Sequence, residues 1–111
     1  MNNAAILITL TLAACLEAGG DALARSGLHT SLLPIRLAFF AAGAVILFTY
    51  GIVVNLPNWD FGRLLGVYVS LFFVVAQIIN ALAFKTPPTL PILAGGALIV
   101  AGGLLMTFWR A

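Results

Sequence analysis

The chain has 111 residues, of which 63% are hydrophobic and 7% charged, with a formal net charge of +2. A soluble domain carries roughly a quarter charged residues, so this chain lacks the polar surface that keeps a protein dissolved, and a membrane-embedded class remains. So small a charge gives no reason to expect nucleic acid or an acidic partner, and one cysteine excludes an intrachain disulfide or a thiol pair for a metal.

Four apolar runs, 4–24, 35–56, 64–84 and 90–109, each have about the 20 residues a helix needs to cross the hydrocarbon. They predict an all-α membrane protein: four transmembrane helices in one domain, 1–111, assembled as a dimeric bundle. The joints "RSGLHTSLLP", "NLPNWDFGR" and "KTPPTLP" hold the glycines and prolines expected of turns. Trp59 and Trp109, at segment ends, read as interfacial anchors.

The first run holds two features that mislead. "LAAC" at 12–15 looks like a lipoprotein cleavage site, but no Lys or Arg precedes it, so Cys15 reads as a small apolar residue on a packed helix. "GGDA" at 19–22 is close to the Gly-x-Gly-Asp motif of intramembrane aspartyl proteases. That chemistry needs two membrane carboxyls sharing a proton, and the other aspartate, Asp60, falls in a loop, so an enzyme is not expected.

The same run carries two of the chain's three acids, Glu17 and Asp21. At 1.5 Å per residue, Glu17 lies about 20 Å along from Ala4 and Asp21 about 26 Å. A central acid costs about 2.5–3.5 kcal/mol to insert, so Glu17 is read as functional. A carboxyl among apolar groups can release a proton to bind a cation and then recover it, the chemistry of proton-coupled exchange. Asp21 and Arg25 continue the same face, four residues apart, and read first as an interfacial salt bridge and second as part of a site.

In the third run, Gln77 and Asn80 line a path or join helices by amide hydrogen bonds, and Ser70 is expected to bond its own helix. In the fourth run, Gly95 and Gly102 are seven apart with Gly96 and Gly103 beside them, a spacing that suits a helix–helix seam. Four helices are too few to enclose a path, which favours a homodimer with this run at its interface. Loop charges are nearly balanced, Arg63 and Arg110 on one side against Arg25, Arg36 and Lys85 on the other, so either orientation is nearly isoenergetic. His29 sits alone in a loop, and neither a metal nor a cofactor is expected.

These residues resemble the small multidrug resistance transporter superfamily. In "LEAGGDALAR", Glu17, Gly20 and Arg25 fall on the first-helix signature. In "LPILAGGALIVAGGLL", Pro91, Gly95, Leu98, Ile99, Ala101 and Gly102 fall in step with the fourth helix. Gly62 followed by Arg63 is closer to a YnfA-like branch. The resemblance implies an antiparallel homodimer of dual-topology subunits in the bacterial inner membrane. It implies Glu17 as the shared proton and cation carboxylate, with Tyr68 in the site wall. Asp21, Arg25, Arg63, Gln77 and Asn80 are then candidates for the surroundings, and Gly95 and Gly102 for the dimer interface. Leu65 stands where a site tyrosine is common, which weakens the case for flat aromatic cations. The expected function is proton-coupled export of a small organic or hydrophobic cation. The alternatives are a transporter of lipid or lipid-linked substrates, an accessory subunit of the same fold, or a structural membrane partner.

Overall fold

A computed structural model describes residues 2–109; Arg110, counted in the loop charges, lies outside the described residues. The chain is all-α, with α1 at Asn3–Leu28, α2 at Leu33–Val54, α3 at Phe61–Ala83 and α4 at Leu90–Phe108. All four helices are long and apolar enough to cross a membrane. Each start has a local cause. The Asn2 side chain accepts from the Ala5 N–H at 2.7 Å, the Asp60 side chain accepts from the Arg63 N–H at 3.0 Å, and α2 and α4 carry proline in their first turn.

The first joint is shorter than the sequence suggests. Ser26 and Gly27, expected in a loop, continue α1 as far as Leu28. Gly27 is there for space: a Cβ on it would lie 2.7 Å from the Phe40 ring. Past α3, the backbone turns at Lys85, whose φ of 53° is the left-handed conformation that ends many helices, and the Thr86 N–H closes onto the Asn80 carbonyl at 3.1 Å.

By their backbones the described helices pack as a row, α2–α1–α3–α4, not as a closed bundle: α1 lies against α2 and α3, α4 against α3 alone, and the end of α2 reaches α3 through side chains such as Tyr50. The array is accordingly flat, 53 × 34 × 19 Å. Its core lies where α1, α3 and the end of α2 meet, with Ile6, Leu10, Ala13, Ala14, Val54, Leu64, Val67 and Tyr68 buried. Backbones approach closely at Gly20 and Gly43, where a Cβ on Gly43 would stand 3.2 Å from the Gly20 carbonyl oxygen, so α1 and α2 cross in near contact. Cys15, expected on a packed face, is exposed.

The α3–α4 seam uses the other pair of glycines from the one first singled out. Gly96 and Gly103 are buried, against the Phe73 ring and the Ser70 side chain respectively, whereas Gly95 and Gly102 have nothing near them. Ser70 corrects the expectation of a bond within its own helix: its hydroxyl donates across the seam to the Ile99 carbonyl at 2.9 Å. That hydroxyl occupies the space which only a glycine at 103 leaves free.

Candidate functional site

Glu17 stands 11 residues short of the end of α1 at Leu28, well inside the span. It is partly buried, and the Tyr68 hydroxyl donates to its Oε1 at 2.9 Å. Tyr68 itself is only 3% exposed, held in the core between Leu64, Val67 and the end of α2. The bond therefore joins α1 to α3 at mid-membrane from a rigid donor to a carboxyl on the edge of the core.

Two further rings complete the wall. Tyr50 of α2 lies 5.7 Å from the Tyr68 ring centroid, tilted by 35°, and Phe72, one turn further along α3, stacks at 6.1 Å and 29°. Centroids at these separations are within the favourable range for aromatic pairs. The sequence reading noted the missing ring at Leu65 but overlooked Tyr50 and Phe72, which supply faces from other positions. A signal for Tyr50 existed: both tyrosines of the chain fall inside apolar runs, not at segment ends, where an unsatisfied hydroxyl is costly. A carboxylate beside such faces is a setting in which an organic cation finds both charge and cation–π contact.

The remaining candidates divide among three places. Asp21, Arg25 and Asn80 line a cleft between α1 and α3 of about 280 Å³, with Ala18 and Phe72 on its walls, so it opens one turn beyond Glu17. The anticipated Asp21–Arg25 ion pair is not made among the described residues. Instead the Arg25 guanidinium lies over the Phe84 ring at 5.7 Å. Phe84 is within reach because α3 runs parallel to α1 and ends at the same membrane face.

Arg63 lies elsewhere, at the start of α3. Its Nε donates to the Met106 carbonyl at 3.2 Å and its terminal nitrogen to the Thr107 carbonyl at 3.0 Å, while its plane covers the Trp59 ring at 4.3 Å. It thus caps the end of α4, whose last carbonyls have no intrahelical partner and carry the negative end of the helix dipole. Trp59, read as a simple interfacial anchor, is the platform for that cap. Gln77 is separated from Asn80: it lines an apolar cleft between α3 and α4 with Phe73, Ile92 and Gly96, where its Oε1 is buried without a partner. Asn80 faces the α1 side, so the two amides do not share one path. Among the described residues no three His, Cys, Asp or Glu side chains converge as metal ligands would.

Four membrane-length apolar helices, with a mid-span carboxyl held by an aromatic hydroxyl, define a small multi-pass membrane protein. The chain is 32% identical over 73 residues to a UPF0060 membrane protein of Herpetosiphon aurantiacus, a match covering 64% of this chain and 66% of that protein's length. The chain is therefore similar to a UPF0060 membrane protein, a protein of the YnfA family and small multidrug resistance type, in line with the family resemblance of its sequence. No family model matches the chain, and no solved structure matches it.

Proposed function

We propose that the chain is a secondary transporter of the bacterial inner membrane that exports a small organic or hydrophobic cation in exchange for protons. Glu17 is the shared carboxylate: it holds either a proton or the cation, so that loading one expels the other. The observation that carries this reading is the 2.9 Å bond from Tyr68 to a partly buried mid-span Glu17, flanked by the Tyr50 and Phe72 rings. A carboxylate used only to pin helices would be expected to meet a cationic or amide partner in the bundle. Its 2.9 Å side-chain hydrogen bond comes instead from a neutral hydroxyl.

The working unit in this proposal is a homodimer, antiparallel and of dual topology, with one carboxyl from each copy. The open row of helices supports it, since one copy leaves α4 with a single neighbour and Gly95 and Gly102 uncovered. Near-balanced loop charges support insertion both ways.

In liposomes carrying a proton gradient, Glu17→Gln is expected to fold and assemble while losing proton-coupled cation flux. Coupled flux that survives the substitution eliminates the mechanism. One observation favours the lipid-handling alternative: an apolar cleft of about 170 Å³, walled by Leu7, Val67, Leu71, Val100 and Leu104, opens along α3 and α4 beside α1. That reading expects a copurifying lipid and transport indifferent to Glu17→Gln.

A further inference from the structure

The cleft beyond Glu17 has a polarity that the exchange reaction alone does not require. Asp21, Arg25 and Asn80 converge on one space of about 280 Å³. Asp21 and Arg25 are exposed and Asn80 is half-buried, so their donors and acceptors are open to a solute that enters this cavity. Arg25 is turned toward this space and held there by the Phe84 ring, with its five donors still available.

The charges are also ordered along the axis. Arg25 lies three residues from the end of α1 at Leu28, Asp21 one turn further in, and Glu17 another turn beyond. A solute coming from that face thus meets a cation first, then an anion, then the proposed exchange carboxylate.

We propose that this cleft is an outer subsite for a small zwitterionic solute, with its ammonium end on Asp21 and its anionic end on the Arg25 guanidinium. Asn80 donates to the anion or accepts from the ammonium, and Phe72 and Phe84 cover the connecting carbons. Binding here does not need Glu17; only onward passage of the ammonium end rests on the exchange reading. A zwitterionic phospholipid headgroup shares this chemistry but has the opposite polarity. In a bilayer its phosphate lies deeper than its ammonium, whereas in the cleft the cation-binding Asp21 lies deeper than the anion-binding Arg25.

The test uses purified full-length protein in detergent and three probes: γ-aminobutyrate, whose charged ends are about one helical turn (~5 Å) apart, butylammonium and butyrate. Calorimetry measures affinity, and a weakly buffered titration measures proton release. The wild type is expected to bind γ-aminobutyrate at least about tenfold more tightly than either singly charged probe. Arg25→Gln is expected to erase that preference, Arg25→Lys to keep most of it, and Asp21→Asn to weaken both ammonium probes. Glu17→Gln should lose proton release and keep the preference. Equal affinity for γ-aminobutyrate and butylammonium, or no measurable binding of γ-aminobutyrate, overturns the subsite. An intact preference without proton release in the wild type overturns the exchange reading and upholds the subsite. In nanodiscs, binding that persists in phosphatidylglycerol but vanishes in phosphatidylethanolamine gives the cleft to a lipid headgroup and overturns the solute assignment.

Discussion

Removing a single oxygen tests the centre of the proposed mechanism. Tyr68→Phe keeps the ring in its buried seat against Tyr50 and Phe72 and deletes only the donor to Glu17. A hydrogen bond to an ionised group contributes about 1.5–3 kcal/mol; because Glu17 is only partly buried, the lower end applies, about 1.5 kcal/mol. Read as cation affinity, this is a loss of about tenfold, since the carboxylate must then be held in place at the expense of its own rotamer freedom. Calorimetry with a hydrophobic ammonium probe measures that loss. Thermal unfolding in detergent gives a second readout that needs no cargo. Glu17→Gln, Tyr68→Phe and the double variant form a cycle in which the bond should appear as a coupling of about 0.5–3 kcal/mol. Strictly additive losses, together with an unchanged affinity in Tyr68→Phe, would refute the claim that this hydroxyl positions the carboxyl.

Other outcomes follow from the packing. Leucine at Gly96 or Gly103 must displace Phe73 or Ser70 and is expected to cost about 1–3 kcal/mol in thermal unfolding, whereas Gly95→Leu and Gly102→Leu meet open space and should leave the subunit's stability unchanged. If the dimer forms through that outer face, the second pair lowers the dimer fraction in cross-linking; unchanged dimerisation removes Gly95 and Gly102 from the interface. Arg63→Gln removes the guanidinium that caps α4 and should speed amide exchange at residues 105–108 without altering cation affinity. Exchange that stays as slow as in the wild type contradicts the cap. Lys85→Asn keeps a residue that tolerates the left-handed conformation while removing one of three charges on its side, so a carboxy-terminal topology reporter should shift toward the cytoplasm. A reporter that does not move contradicts the balanced-charge account of orientation.

The spans were legible because membrane insertion imposes a simple code: length, apolarity and breakers in the joints. Glu17 was legible for the related reason that a central acid in so apolar a chain requires an explanation. What the sequence hid depends on rotation about helix axes, which weak amphipathicity does not report when both faces meet apolar surroundings. Thus spacing singled out Gly95 and Gly102, whereas the Phe73 ring lies against Gly96. Ser70 looked self-satisfied because an intrahelical acceptor is always available, and its bond to Ile99 needed the α3–α4 register. Asp21 and Arg25 had the spacing of a salt bridge, but spacing cannot reveal a competing ring such as Phe84, 59 positions further along the chain.

The placement of α3 suggests how a change at the carboxyl could reach the outer helix. Tyr68 and Phe72 on one face of α3 form the wall beside Glu17, while Ser70 and Phe73, a few residues away, seat α4 through Gly103 and Gly96. On the other side of the bond, α1 is joined to α2 by the close crossing at Gly20 and Gly43. The row therefore has three seams, α2–α1, α1–α3 and α3–α4, and the buried core lies at the middle one. The hydrogen bond from Tyr68 to Glu17 crosses the α1–α3 seam. A cation or proton that alters this bond acts on the α1–α3 seam, and a shift of α3 carries α4 with it because, among the described residues, α4 packs on α3 alone. In a dimer assembled through α4, the same shift would be transmitted to the second copy, giving occupancy of one carboxyl a direct mechanical route to the other.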